Sequence, residues 1–267
     1  MYKKNLSLQI FFIILALLSL LRLYDNASNL DAWQFGEWLI NYQNGFVRRG
    51  LIGEAIYLFS KLFNNNIKIS FFLILSIFVL FYYFLNFQLT KSLKLNFINY
   101  IIILSPLFYL FFIVISKVGI KKEILLYIFY IYYLLQLTTK NYNLDKNWKF
   151  IFIFPLLLLV HEGIYFYLPY VILPLLFIVK RKDLNKAILQ FFVFFLISTL
   201  IEILLYFNRG SIDHVLSICN SLAEYAPQKC DWWGPIWALS QNLSDDQSGK
   251  LTSESLWFYI HNDKRSY

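Results

Sequence analysis

The sequence predicts an all-α fold: a polytopic transmembrane helix bundle of about seven spans, with two interfacial helices in its first outer loop. Three observations predict it. Hydrophobic residues make up 59% of the chain and charged residues only 15%, far from the balance of a soluble domain. Several apolar runs approach or exceed the roughly 20 residues that cross a bilayer as a helix. The lysines stand in short loops between those runs, where they serve as topology signals. The net charge of +8 raises nucleic acid as a partner. No basic stripe or RNA-binding motif accompanies it, so no nucleic-acid partner is expected.

Met1–Lys4 is a short basic start, and Leu6–Leu23 is an apolar run with Arg22 near its end. A cleaved signal peptide is the rival reading. The run is long for one and no small-residue cleavage site follows, which favours an uncleaved first span. Residues 24–66 form the first loop and do not span. Within the loop Phe35, Trp38, Leu39 and Tyr42 fall at helical spacing, as do Ile52, Ala55, Ile56, Phe59, Leu62 and Phe63. Gln34, Glu37 and Asn41 lie off the first apolar face, and Glu54, Ser60 and Lys61 off the second. Both segments are expected to be helices in the membrane interface, anchored at headgroup level by Trp33 and Trp38.

Ile67–Leu89 is the second span. Phe97–Ser116 is the third, with a kink expected at Pro106, and Ile124–Thr139 is the fourth. The stretch from Phe150 to Val179 would be about 45 Å long as one helix, against a hydrocarbon core of roughly 30 Å. His161-Glu162-Gly163 lies in its middle. A hairpin there returns Lys180, Arg181, Lys182 and Lys186 to the side of Lys140, Lys146 and Lys149, as the positive-inside bias prefers. Ala187–Phe207 is the last span and carries Glu202, expected to pair with an outer basic residue. Residues 1–207 are read as the bundle and 208–267 as a polar extracytoplasmic tail. In that tail His214 and the tryptophans are expected to form a small cap.

With the start in the cytoplasm, seven spans give a multi-pass protein of the cytoplasmic (inner) membrane. The first loop, the K-V-G-I-K-K-E turn at 117–123, the His-Glu turn and the tail then share the outer face. An oxidising exterior permits a Cys219–Cys230 disulfide; two free thiols are the alternative.

Four polar sets reach that face, and their convergence is what suggests chemistry. Arg48 and Arg49 stand between Gly45 and Gly50 in N-G-F-V-R-R-G-L-I-G-E. Arginine forks match phosphate oxygens, and glycines let backbone approach a ligand. The alternative is a basic pair touching anionic headgroups. Lys121 and Lys122 offer further charge for phosphate, oriented by Glu123; the alternative is a solvated helix start. His161 and Glu162 are ionisable groups at membrane depth, which are costly and usually face a cavity or a partner. Glu162 suits a base or a ligand for sugar hydroxyls, and His161 a phosphate ligand or proton shuttle; a structural histidine is the plainer alternative. Asp25 and Asp31 are helix caps, or else a general base or ligands for a divalent cation bridging diphosphate. No zinc-site spacing occurs, and the metal requirement stays open.

This layout resembles the GT-C class of integral-membrane glycosyltransferases, which use polyprenyl-phosphate-linked sugars. The likeness lies in the first helix, the aspartate-bearing outer loop with its interfacial helices, and the later basic-plus-acid turn. The N-G-F-V-R-R-G-L-I-G phrase is also similar to uncharacterised multi-span proteins of bacterial surface-polysaccharide clusters. The resemblance implies Asp31, or Asp25, as the catalytic acidic residue, and Arg48, Arg49, Lys121 and Lys122 as contacts to lipid phosphate. The expected function is a glycosyltransferase of surface glycan synthesis, with a lipid-linked sugar and membrane lipids as partners. The alternatives are a polysaccharide polymerase, a transporter or flippase of lipid-linked intermediates, and a non-catalytic membrane protein. Spans almost free of buried charge argue against a transport path.

Overall fold

The computed structural model describes residues 2–29, 32–92, 120–137, 148–179, 183–223 and 234–239. The described elements are all helical. Three are long: α1 (Tyr2–Asn29, 28 residues), α4 (Ile67–Ser92, 26 residues) and α8 (Leu184–Phe207, 24 residues). Each is long and apolar enough to cross a membrane, which gives the chain the build of a multi-pass membrane protein. Their outward faces are apolar, with Ile13, Leu17 and Leu21 exposed on α1 and Ile188, Phe192 and Leu200 on α8. Such stripes suit hydrocarbon, whereas in water they would be a large unpartnered patch.

The other expected crossings stand differently. The third, Phe97–Ser116, lies outside the described residues. The fourth is α5 (Ile124–Leu137), described over 14 residues. The run from Phe150 to Val179 is interrupted: α6 (Trp148–Leu158), a 3₁₀-helix (Glu162–Tyr167) and α7 (Leu168–Ile178) follow one another. Each arm has 11 residues, about 16 Å or half a crossing. The break falls at His161, whose backbone is extended and whose Nδ1 accepts from the Gly163 N–H at 2.9 Å. That bond caps the 3₁₀-helix, so the interruption is written locally.

The first loop departs most from expectation. α1 runs on through Asp25 to Asn29, so Asp25 is helical rather than in a loop. α2 (Ala32–Leu39) is not an interfacial helix anchored by Trp38. Trp38 is 0% exposed, stacks on Phe78 of α4, and donates its indole N–H to the Ile120 carbonyl at 2.8 Å. The polar side of this segment is buried too, at Glu37 and Asn41. The reason is the tail, which folds back as α9 (Ile212–Ala223) and a short 3₁₀-helix (Trp237–Leu239). Val215, Ile218, Leu222, Ile236 and Leu239 share one core with Leu39, Ile40 and Val47. Asn41 donates to the Ser221 hydroxyl at 3.1 Å. Cys219 is disulfide-bonded; Cys230, the other cysteine of the chain, lies outside the described residues.

α3 (Gly50–Phe63), by contrast, packs on the protein through small residues. Gly50, Gly53, Ile56 and Ser60 are buried, while Leu58, Leu62 and Phe63 point outward. A Cβ on Gly53 would sit 1.8 Å from the Ile40 carbonyl oxygen, and one on Gly50 2.2 Å from the Tyr42 ring. Small residues therefore let α3 lie directly on the loop, and its apolar side is left for lipid.

Two cores result. The first joins α1, α4, the first loop and the tail; the second joins α6, α7 and α8. α5 serves both. Ile124, Ile128 and Ile131 face the first core, and Leu126, Phe129, Tyr133 and Leu137 the second. Each set repeats at helical spacing on its own side of the helix.

Candidate functional site

The charged residues meet at the seam between the two cores, at the end of the bundle where α1 finishes and α4, α5 and α9 begin. The first loop supplies Arg48 and Arg49. Glu54 of α3 steadies the chain just before them, accepting from the Tyr42 N–H at 2.8 Å and from the Gln43 amide at 3.2 Å. Val47 is fully buried, and the Arg48 N–H donates to the Asn208 carbonyl at 2.9 Å. Arg49 then takes a left-handed conformation, φ 65° and ψ 6°, which turns the chain into α3. A non-glycine residue adopts this region only when its surroundings hold it there.

Two groups hold it. Lys122, fully buried, donates its ammonium to the Arg49 carbonyl at 2.7 Å. Glu162 takes the Arg49 guanidinium, through Nε and Nη2, at 2.5 to 2.9 Å. Both carboxylate oxygens are engaged, which is the fork geometry of a strong charge-assisted pair. Arg48 reaches the same Oε1 at 3.4 Å. Burial alone would raise the Glu162 carboxyl, but the Arg49 hydrogen bonds and the charges of Arg49 and Arg48 hold it down at about 2. Glu162 is therefore a fixed anion rather than a ready proton acceptor.

Lys122 stands apart from its expected use as a phosphate contact. Its ammonium is inside the protein and serves a backbone carbonyl. Burial pushes it down to about 7, with Arg49 adding to the effect against the pull of Glu37, Glu162 and Glu123. Lys121 is the open member of that turn, its Nζ 3.9 Å from Glu37 Oε2. Glu123 immediately precedes α5, with Oε2 buried and without a hydrogen bond.

Glu37 is the residue the sequence reading left out of the site. It is 7% exposed, and its Oε1 lies 3.6 Å from His161 Nε2. Since His161 Nδ1 accepts from Gly163, its ring proton sits on Nε2, aimed at Glu37. Burial and then the Arg49 charge push the imidazole below its usual value, against Glu162, Glu123 and Glu37, so His161 is neutral at neutral pH. At 3.6 Å the contact exceeds a hydrogen bond. Glu37 thus has a cation and a neutral imidazole beside it, and neither grips it as Arg49 grips Glu162.

Of the expected site residues, the structure brings together Arg48, Arg49, Lys121, Lys122, Glu123, His161 and Glu162. Asp25 is instead half exposed on α1, ion-paired with Arg22 one turn earlier at 3.2 Å. Asp31 lies outside the described residues, as does the side chain of Trp33. Glu202 makes no ion pair with a basic residue among the described residues, and its Oε2 is buried without a hydrogen bond. Among the described residues no three His, Cys, Asp or Glu side chains gather to hold a metal ion. No protein-family model, curated protein or solved structure matches this chain.

Proposed function

We propose that this chain is a membrane glycosyltransferase acting on a lipid-linked sugar at the extracytoplasmic end of a bundle of about seven spans. One observation carries the reading. Cations and carboxylates from four separate segments, at residues 37, 48–49, 121–123 and 161–162, converge at one end of apolar, membrane-length helices. Transfer from a lipid phosphate needs this combination. The acceptor oxygen attacks the anomeric carbon while the bond from that carbon to the phosphate oxygen breaks. The phosphate leaves with the electron pair, and the acceptor's proton passes to a carboxylate. Arg48, Arg49 and Lys121 stand where cations would steady the leaving phosphate.

The geometry favours Glu37 as the proton acceptor over Glu162, which Arg49 and Arg48 already neutralise. His161 would pass or orient that proton through Nε2, and Lys122 would keep Arg49 in place. Asp31, the catalytic acidic residue that the GT-C resemblance implies, is the alternative proton acceptor. The test is replacement of the native copy by Glu37→Gln or Arg48→Gln, each at wild-type membrane levels. Surface glycan carrying the transferred sugar is expected to fall at least tenfold in both. Unchanged glycan in both variants would refute the enzymatic reading and leave a non-catalytic membrane protein.

A further inference from the structure

The cations of the site are not equally committed. Arg49 gives Nε and Nη2 to Glu162, and Lys122 is spent on a backbone carbonyl. Arg48 has only the long 3.4 Å contact to Glu162 Oε1, and its Nε is buried without a hydrogen-bond partner. A buried, unserved donor on a charged group is expensive and calls for an acceptor. Directly beside it, the Asn208 carbonyl that receives the Arg48 N–H belongs to the peptide unit leading into Arg209. Arg209 lies over the Tyr206 ring at 3.8 Å and meets no carboxylate within ion-pair distance among the described residues. Burial lowers the Arg48 pKa, and Arg49 and Arg209 lower it further against the pull of Glu162. Arg48 thus feels two other positive charges, with Glu162 as its one carboxylate partner among the described residues. An anion with several oxygens would relieve both the repulsion and the idle Nε.

We propose that Arg48 and Arg209 form a second anion subsite, which seats one phosphate of a diphosphate whose other phosphate lies at the Arg49–Lys121 side. This inference rests on the lipid-phosphate reading above and narrows it, because the preferred ligand carries two phosphates rather than one. Arg209 closes the last long helix and belongs to none of the four segments that carry the proposed chemistry. Its guanidinium stacks on an aromatic ring, an arrangement that pre-orients a fork for phosphate.

The experiment uses the full chain in lipid nanodiscs and three probes: farnesyl diphosphate, farnesyl phosphate and inorganic pyrophosphate. Wild type is expected to bind farnesyl diphosphate at least tenfold more tightly than farnesyl phosphate. Arg209→Gln is expected to remove that preference while leaving farnesyl phosphate binding within twofold. An Arg209→Gln variant that keeps the preference overturns the second subsite and leaves the lipid-phosphate reading standing. Wild type that binds none of the probes overturns both. Pyrophosphate binding as tight as that of the prenyl diphosphate supports the subsite but assigns it to a soluble diphosphate, which removes the lipid from the reading above. Should Arg209→Gln lower the unfolding temperature, Arg209→Lys replaces it, because it keeps charge but lacks the fork. A loss of about threefold in diphosphate affinity is then expected, and no loss refutes the subsite.

Discussion

The half of the bundle built on α1, α4 and the first loop treats polar groups differently from the half built on α6, α7 and α8. In the first half, hydrogen bonds join polar groups of distant segments: the Trp38 indole to Ile120, Asn41 to Ser221, and Ser19 to Tyr83. The second half is held chiefly by rings, such as Tyr133 on Phe150 at 4.9 Å and Phe154 on Phe194 at 5.1 Å. Apolar packing is non-directional, whereas hydrogen bonds and ion pairs fix register. The ionic contacts between the halves, Arg49 and Arg48 with Glu162, stand at the seam, where Glu37 also faces His161. The seam is thus the place where a mostly greasy body is brought to a defined alignment, and it coincides with the candidate site.

The largest effect is expected for Trp38→Ala in the first half. It removes a fully buried ring and leaves the Ile120 carbonyl without its partner. A loss of about 3–5 kcal/mol is expected, read by thermal or denaturant unfolding in detergent. A loss under about 1 kcal/mol would mean that α2 is not seated in the first core.

Next comes Glu162→Gln, which cuts the strongest tie across the seam. Removing one partner of a largely buried pair costs on the order of 3 kcal/mol. The pH dependence gives the sign. The folded carboxyl titrates at about 2 against an ordinary 4.5, so its stabilisation is fully present above pH 4.5 and is lost as pH falls toward 2. Wild type should lose stability across that window, and Glu162→Gln should show a flatter acid limb. An identical acid limb in both would place the tie elsewhere.

The smallest effect is expected at Leu62→Gln on the outer face of α3, where the side chain is 77% exposed. Stability in detergent should shift by no more than about 0.5 kcal/mol. Association of the isolated α3 peptide with vesicles should weaken measurably, since an apolar face has been interrupted. Equal vesicle binding by both peptides would contradict the outward-facing apolar side.

The long helices and the break at His161 were legible from apolar length and loop charge: runs of spanning length in one case, and in the other a run too long for one span whose flanking lysines belong on one side. The meeting of Arg49 with Glu162 was legible for a related reason. Charges that cannot enter hydrocarbon collect at helix ends, and few ends share a face. Glu37 was not legible. It read as the wet side of an amphipathic helix, and only the tail, some 180 residues later, buries the neighbouring Asn41. Arg209, at the start of the tail, drew no reading of its own, because its nearness to Arg48 depends on a contact between distant segments. The close packing of α3 on the loop left a signal. Gly50, Gly53 and Ser60 repeat at helical spacing, and small residues on one stripe mark the side that another backbone approaches.

α5 touches both cores, and Lys122 stands just before its first turn. A helix wedged between two walls cannot roll against one without grinding on the other. It behaves as an axle. A tug on the charged rim at residues 121–123 is carried as a rigid movement down its shaft to Leu137, about 20 Å away. Mutations around Tyr133 and Phe150 are therefore expected to shift the alignment of the rim, as a change in the stability effect of Glu162→Gln in their background would show.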